Sequence, residues 1–172
     1  MRSLILAAIA VSFLVSQSWC AELAQVTRSV SLYFGSKDGK QLLIEEREML
    51  VTENREESLS LLVSELISGP RKAGVRLIPA DAVLRHTFID ERGTVFIDFS
   101  GSIRVPSQGG VLFEWLLAAS IARTVLENVE RVKKVVFLVD GKPAATLTGH
   151  VDLTDGLALD DILSEGKRVG MK

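Results

Sequence analysis

The stretch TVFIDFSGS, residues 94–102, decides how this sequence folds. It is mostly apolar, as is a strand inside a sheet, and its serine- and glycine-rich end marks the point where the strand stops. Asp98 is the exception, because it places an ionisable side chain inside the run. Asp140 closes a second apolar run, VVFLVD, in a similar way. The two aspartates are therefore either an acid/base pair at the ends of two strands or ordinary turn residues.

The turn interpretation is favoured for both aspartates. Asp140 and Gly141 form a dipeptide typical of turns, in which a short carboxylate accepts hydrogen bonds from the backbone N–H groups that follow it. Asp98 can act in the same way where its strand runs into Ser100 and Gly101. A glycosidase-type pair would need two carboxylates about 5–10 Å apart across a cleft. The aromatic platforms that accompany many such sites are scarce, since 6% of the residues are aromatic.

Motifs for other kinds of enzymatic chemistry are missing from the sequence. It contains no Gly-x-Ser-x-Gly elbow and neither the Walker nor the Rossmann glycine pattern. His150 and Asp152 could offer two ligands to a metal, but a catalytic zinc site needs three protein ligands and no local motif supplies the third. The sequence therefore predicts no catalytic residue, no metal site and no cofactor.

Around this stretch the sequence predicts two strand hairpins, each followed by a helix, and then a final pair of strands. The predicted order is β-β-α-β-β-α-β-β. The predicted strands are residues 28–35, 41–51, 85–90, 94–100, 133–140 and 144–149, and the predicted helices lie between Asn54 and Gly69 and at residues 111–128. No change in composition divides the chain. The expected fold class is therefore α+β, a single domain with two helices packed on one face of a mixed or antiparallel sheet.

The first helix has recognisable ends. Asn54 can accept hydrogen bonds from the free N–H groups of the first turn, and Glu57 stands three residues later, as in a capping box. Gly69 can adopt the left-handed conformation that ends a helix, and Pro70 cannot continue it. Leucine, valine and isoleucine recur between these ends at helical spacing, which predicts one apolar stripe.

The N-terminus has the pattern of an export signal. Arg2 precedes the apolar run LILAAIAVSFLV at residues 4–15, which is shorter than the roughly 20 residues that span a bilayer. Cys20 is the only cysteine, so the chain can form no intramolecular disulfide. Cleavage of the segment, its retention as an anchor and lipidation at Cys20 remain alternatives, although Trp19 fits poorly in a lipidation motif.

The charge of the chain gives it no general attraction to polyanions. The formal net charge is -2 and the pI is about 5.8. Long-range binding to nucleic acid or to an anionic membrane surface normally requires a basic protein or a strongly basic patch. We therefore expect no nucleic-acid partner, and contact with a membrane only through the N-terminal segment if it is not removed.

Several segments, taken in order, resemble the GerMN domain found in sporulation and germination proteins and in many exported bacterial proteins. They are LYFG at residues 32–35, LISGP at 66–70, LIPADAVLRHTFIDERGTVFIDFS at 77–100, the helix that carries Glu114, and VKKVVFLVDGKPAATLTGHVDLTDGL at 132–157. The resemblance predicts a signal peptide or N-terminal anchor at residues 1–20, a GerMN-like domain at 27–157 and a C-terminal tail at 158–172.

The resemblance also implies a function. GerMN domains are generally exported or membrane-attached, are regarded as non-enzymatic, and are similar in architecture to the ring-building motifs of envelope-spanning complexes. It therefore implies an exported module, periplasmic or associated with the cell envelope, for protein–protein interaction or complex assembly, with another envelope protein or a second copy as partner. A role in sporulation itself is not implied. A glycan- or small-ligand-binding module, and an envelope hydrolase that uses Asp98 and Asp140, are the alternatives.

Two sets of residues are singled out by this interpretation. The positions expected to determine the fold are Gly69, Pro70, Pro79, Asp98, Gly141 and Gly149. The loop at residues 101–110 is the candidate contact surface, with Ile103, Arg104, Val105 and Gln108 as its candidate interaction residues. The reason is that this loop places apolar residues between polar ones at the start of the long helix.

Overall fold

The computed structural model describes residues 26–104 and 110–168, with side chains described as far as Ser164. Its elements are β1 (Thr27–Gly35), β2 (Leu42–Leu50), α1 (Arg55–Ile67), β3 (Leu84–Ile89), β4 (Thr94–Phe99), a short 3-10 helix (Gly101–Ile103), α2 (Gly110–Asn128), β5 (Lys134–Val139), β6 (Lys142–Pro143), β7 (Leu157–Ala158) and α3 (Leu159–Arg168). The predicted α+β class and single domain are confirmed. The segment expected to be a C-terminal tail, residues 158–172, begins with the last residue of β7 and continues as α3.

The strands form two sheets. β1 and β2 pair antiparallel as a two-stranded sheet, and the larger sheet has the order β3-β4-β5-β6, with β7 also paired to β5. β4 and β5 run parallel because α2 carries the chain from one to the other, whereas the other pairs are antiparallel. The expected mixture of parallel and antiparallel pairing is therefore found in the larger sheet.

The polar side chains of α2 explain why β1 stays out of the larger sheet. Asn128 accepts a hydrogen bond from the Ser31 N–H at 2.9 Å and donates to the Ser31 carbonyl at 2.7 Å. Thr124 Oγ1 accepts from the Tyr33 N–H at 3.2 Å, and Ser120 Oγ donates to the Tyr33 carbonyl. These bonds satisfy the edge of β1 that faces away from β2, so a helix covers an edge that would otherwise attract another strand.

Helix α1 begins and ends as predicted. Asn54 Oδ1 accepts hydrogen bonds from the N–H groups of Glu56 at 2.9 Å and Glu57 at 3.2 Å. Gly69 follows the helix with φ of 87°, in the left-handed region. The apolar stripe is buried at Leu59, Leu62, Val63 and Leu66. Each such side chain contributes about 1.5–3 kcal/mol to folding when fully buried.

The core lies between α2 and one face of the larger sheet. Alternate residues of β4 and β5 are buried on this face, namely Val95, Ile97, Phe99, Val135, Phe137 and Val139. Helix α2 contributes a broad apolar stripe that includes Leu117, Ala118, Ile121, Ala122 and Val125. The residues buried at every second position of the strands thus pack against a broad apolar stripe on α2.

The predicted strand at residues 144–149 is wrong. β6 ends at Pro143, and the chain then curves through a loop without regular secondary structure as far as β7. The physical reason is that several backbone N–H groups of this loop bond to the side chain of Glu114 on α2, whereas in a strand they would bond to the neighbouring strand.

The helices in the described part of the chain are too short or too polar to span a bilayer.

Candidate functional site

Asp98 and Asp140 lie on either side of one arginine. Asp98 is 4% exposed, and its Oδ1 accepts a hydrogen bond from the Gly141 N–H at 2.9 Å while its Oδ2 accepts from Arg85 Nε at 3.2 Å. Arg85 Nη1 also lies 3.4 Å from Oδ1 of Asp140, which is on the surface. Asp140 and Gly141 have φ of 52° and 76° and connect β5 to β6, as in a type I′ hairpin turn. Asp98 therefore holds this turn from the neighbouring strand.

This geometry supports the turn interpretation of the two aspartates over an acid/base pair. Both carboxylates are engaged by the same guanidinium, and Asp98 uses its second oxygen to hold the backbone of the turn. A general acid must instead be free to give its proton to a substrate within hydrogen-bond reach. Asp98 is committed to protein contacts through both oxygens.

Glu114 is the most completely buried carboxylate that the structure describes. Its side chain lies on α2 with no exposed surface. Oε1 accepts from the Thr146 hydroxyl and from the N–H groups of Leu147 at 2.7 Å and Thr148 at 2.8 Å. Oε2 accepts from the Thr148 hydroxyl at 2.9 Å and from the N–H groups of His150 at 2.6 Å and Val151 at 3.1 Å. The carboxylate is the centre around which the loop at residues 146–151 folds.

These hydrogen bonds fix the protonation state of Glu114. Burial alone would raise the pKa of the carboxyl, but the bonds from Thr146, Thr148 and His150 outweigh burial and lower the pKa to about 2. The Nδ1 atom of the half-exposed His150 ring also lies 3.4 Å from Oε2. Glu114 is therefore ionised at neutral and mildly acidic pH, and its oxygens are held by protein donors.

Besides the family resemblance, one feature of the sequence points to Glu114. It is the only charged residue in the apolar stretch VLFEWLLAASIA at residues 111–122. A charge in such a stretch of helix must find a partner or face water. The partners of Glu114 are 32 to 37 residues away in the sequence, so no local pattern could identify them.

A buried ion pair connects β2 to the end of α1. Glu45 and Arg47 are 5% and 6% exposed, and Arg47 Nε donates to Glu45 at 2.7 Å. Arg47 also donates to Oε2 of Glu65 at 3.0 Å and to the carbonyl of Gly69 at 2.6 Å. Burial opposes the ionisation of Glu45, but hydrogen bonds from Arg47 and from two backbone N–H groups outweigh it and lower the pKa of the carboxyl. Charged side chains thus occupy the inner face of β2.

The remaining fold-determining candidates lie in turns. Gly69 has φ of 87°, in the left-handed region that favours glycine, and an added Cβ would also displace the flexible guanidinium of Arg76. Pro70 follows it and is half-buried. The Pro79 carbonyl accepts from the Ala82 N–H at 3.1 Å. Gly149 has φ of 103° and donates to Thr146 Oγ1 at 2.7 Å, inside the loop around Glu114.

The candidate interaction loop is only partly described. Val105 and Gln108 lie outside the described residues, and Arg104 is exposed. Ile103 is fully buried, with 0% of its surface exposed, because the 3-10 helix after β4 turns its side chain into the core. The expectation that Ile103 contacts a partner is therefore corrected: this residue packs inside the domain.

An apolar patch lies on the face of the larger sheet opposite the core. Phe88 on β3 pairs with Phe96 on β4, and Phe96 pairs with Val136 on β5. Leu138 follows two residues after Val136 on the same face. Phe88 is 52% exposed, the other three are half-buried, and the two phenylalanine rings lie 6.1 Å apart. We call these four residues the outer stripe. The sequence predicted the strands but did not identify this face as exposed.

The fold and these contacts define a small α+β domain whose deeply buried carboxylates hold loops and turns in place. The chain belongs to the Germane family, described as sporulation and spore germination, whose model matches residues 31–145. The family resemblance seen in the sequence is therefore confirmed. No curated protein matches the chain significantly.

The chain is similar to three solved structures that have the same fold. A protein from Clostridium perfringens, described as a candidate lipoprotein, is 26% identical with a TM-score of 0.58, over 80% of this chain and 91% of that one. The tandem GerMN domains of the sporulation protein GerM from Bacillus subtilis are 19% identical with a TM-score of 0.60, over 79% of this chain and 48% of that one. The first GerMN domain of GerM alone is 18% identical with a TM-score of 0.58, over 79% and 99% of the two chains.

Proposed function

We propose that this protein is an exported, non-enzymatic module of the cell envelope that mediates protein–protein interaction or complex assembly. The observation that carries the proposal is the outer stripe. A sheet with one face on the core normally presents polar side chains on its other face. Here three neighbouring strands present Phe88, Phe96, Val136 and Leu138 on that face. Aromatic residues in a contiguous exposed patch are typical of protein interfaces.

The absence of catalysis is supported by how the buried carboxylates are used. Asp98 holds a turn and Glu114 holds a loop, and each oxygen of both carboxylates accepts at least one hydrogen bond from the protein. Within residues 26–104 and 110–168, no group of three or more histidine, cysteine or acidic residues could hold a metal ion. A catalytic role would therefore have to use side chains other than Asp98 and Glu114.

Export is supported by two independent features. The N-terminal segment has the charge and the short apolar run of a signal peptide. The related structures include a candidate lipoprotein and a sporulation protein, and both descriptions fit an exported or envelope location. The partner is then another envelope protein or a second copy of this chain. Arg104, Val105 and Gln108 remain proposed contact residues in addition to the outer stripe.

Site-specific photo-crosslinking in the cells that make the protein tests this function. A photoreactive amino acid at position 88 places the probe on the outer stripe, and the same amino acid at position 50 is the matched control. Leu50 is also an exposed apolar strand residue, 44% exposed, but it lies on the smaller sheet. We expect one adduct of defined mass from position 88 and none from position 50.

A second substitution shows whether the adduct depends on the surface. Adding Phe96→Asp should abolish the adduct from position 88, because a carboxylate beside the probe disrupts an apolar contact. Equal yields from positions 88 and 50, or an adduct that survives Phe96→Asp, would contradict the proposed function.

A further inference from the structure

The edges of the two sheets differ in how they are protected from pairing with another strand. Polar side chains of α2 close the free edge of β1, and β6 and β7 have two residues each. The free edge of β2 carries the exposed Glu46 and Glu48, and charges of one sign discourage pairing with a second copy. β3 is a six-residue strand at the end of the larger sheet, and no described strand pairs with its outer edge. Such an edge is a template for pairing with another chain.

The register of β3 shows which of its backbone groups face this edge. The Asp90 N–H donates to the Thr94 carbonyl at 2.9 Å, and this pair continues the regular register that begins at His86. Hydrogen-bonded pairs alternate along an antiparallel ladder, so the N–H and C=O groups of Thr87 and Ile89 point away from β4. Within the described residues, these backbone groups have no hydrogen-bond partner outside the strand.

Antiparallel pairing with β3 of a second copy would use all of these backbone groups. When Phe88 lies opposite Phe88 of the second copy, Thr87 of each copy lies opposite Ile89 of the other. These two positions then become the hydrogen-bonded pairs of the new ladder. The two Phe88 rings lie side by side on the outer face of the sheet, and aromatic pairs across neighbouring strands stabilise a sheet.

The same register brings opposite charges together at the two ends of β3. Antiparallel pairing places the start of one strand beside the end of the other. His86 then lies opposite Asp90 of the second copy, and Arg85 approaches its Glu91. Arg85, His86 and Glu91 are exposed, and Asp90 is half-buried. Opposite charges across a strand pair are favourable and like charges are not, so the edge of β3 is complementary to itself.

We propose that two copies of this chain join edge to edge through β3, with Phe88 opposite Phe88, into one continuous sheet. The two outer stripes then meet at the two-fold axis and form a single larger apolar face. A strand that pairs with itself makes an isologous interface, which closes at two copies. This pairing rests on the proposed interaction function, because it takes a second copy as the partner, but the evidence for it is the strand edge.

Hydrogen exchange of single amides, followed by NMR on the whole chain, tests the edge. Exchange is measured at one concentration at which analytical ultracentrifugation shows a dimer and at a lower one at which it shows a monomer. We expect the amide protons of Thr87 and Ile89 to exchange at least tenfold more slowly in the dimer, because they become hydrogen-bonded there. The Phe88 amide is the internal control, since it faces β4 and is already bonded in the monomer.

Cysteine substitutions test the register in a Cys20→Ser background, since Cys20 is the only cysteine. Phe88→Cys places two thiols at a non-hydrogen-bonded pair, where the Cα atoms are about 4.5 Å apart and a disulfide can form. His86→Cys is the matched control on the same strand, because its two copies would be four residues, or about 13 Å, apart along the strand direction. We expect at least tenfold more disulfide-linked dimer from Phe88→Cys than from His86→Cys under mild oxidation.

Glu91→Lys tests the matching of charges. It places a lysine near Arg85 of the second copy, so we expect self-association to weaken at least tenfold. Asp160→Lys makes the same change of charge at an exposed position of α3 and is the control. Helix α3 follows β7, which pairs with β5 and not with β3. The control should change self-association less than twofold.

Four results would overturn the proposal: a monomer at every concentration, a dimer with unchanged exchange at Thr87 and Ile89, equal disulfide yields from the two cysteine variants, or equal weakening by the two lysine variants. An adduct from position 88 with fast exchange of both amides would retain the interaction function and reject the edge pairing. Slow exchange of both amides, together with an adduct that survives Phe96→Asp, would retain the edge pairing and reject the outer stripe as the contact surface.

Discussion

At the scale of single residues, Glu114 has the largest consequences for the fold. An ionised carboxylate without exposed surface is costly unless it is fully hydrogen-bonded. Six donors from the loop at residues 146–151 meet that requirement, and four of them are backbone N–H groups. The loop and the carboxylate therefore depend on each other. Removing the charge leaves the loop without its acceptor, and removing the loop leaves a buried charge.

Replacing Glu114 with glutamine should destabilise the protein although the shape of the side chain is kept. The amide presents donors to backbone N–H groups that are themselves donors, so at least one buried group loses its partner. We expect the free energy of unfolding to fall by about 3–5 kcal/mol, measured by urea denaturation. Glu130→Gln is the control, because Glu130 is an exposed glutamate near the end of α2 and should cost less than about 0.5 kcal/mol. Similar losses in both variants would contradict the assigned role.

Glu114 should make the free energy of unfolding depend on pH in acid. Its pKa is lowered from 4.5 to about 2 in the folded protein, so its contribution is fully present above pH 4.5 and is lost as the pH falls towards 2. The contribution is about 3 kcal/mol, because one pKa unit corresponds to about 1.36 kcal/mol. Denaturation of the wild type and Glu114→Gln between pH 2 and pH 7 measures it. The difference in free energy of unfolding between the two proteins should be constant above pH 5 and should shrink below it. A difference that grows in acid would contradict the lowered pKa of Glu114.

At the scale of elements, α2 makes two kinds of contact with two different faces. Its apolar face covers the larger sheet, and a polar row at Ser120, Thr124 and Asn128 closes the free edge of β1. The three positions are four residues apart, so they lie along one side of the helix. An exposed strand edge is a site for unwanted pairing, and here side chains satisfy the backbone groups that another strand would use.

Thr124→Val tests this edge closure, because valine has nearly the shape of threonine but cannot accept a hydrogen bond. Thr124 is fully buried, so the Tyr33 N–H would lose its only observed acceptor. We expect the free energy of unfolding to fall by about 1–3 kcal/mol and the exchange of the Tyr33 amide proton to become faster. Thr27→Val on the exposed start of β1 is the control. Unchanged amide exchange in Thr124→Val would show that the helix does not protect this edge.

At the scale of the whole molecule, the core and the proposed partner-binding surface lie on different faces of the larger sheet. One face carries the core, and the other carries the outer stripe, which contributes less to folding because its residues stay partly in water. One charged group lies between β2 and α1, whereas the Arg85–Asp98 pair is on the same face as the outer stripe, where Asp98 pairs with Leu138. Stability and binding should therefore respond to different substitutions.

Phe88→Ser should separate stability from binding. Phe88 is 52% exposed, so we expect the free energy of unfolding to fall by less than about 1 kcal/mol. Co-purification with the envelope partner, or self-association measured by analytical ultracentrifugation, should decrease at least tenfold. Leu50→Ser removes a similar exposed apolar side chain from the smaller sheet and should leave association unchanged. Parallel losses of stability and association would mean that the stripe serves folding.

The sequence by itself determined what depends on near neighbours along the chain. Local patterns predicted the ends of α1 at Asn54 and Gly69, the turn at Asp140 and Gly141, and the strand on which Asp98 lies. The order of the sequence motifs along the chain indicated the family. Such features are legible because capping, turn geometry and periodicity involve residues a few positions apart.

Only the tertiary structure decided which side chains meet across long separations. It placed Ile103 in the core, gave Glu114 partners more than 30 residues away, and left Phe88 exposed on a strand whose pattern could not reveal its outer face. The physical reason is that burial of a side chain depends on which face of its element another element covers. Packing between segments that are distant in the sequence determines which face is covered, and periodicity alone cannot predict it.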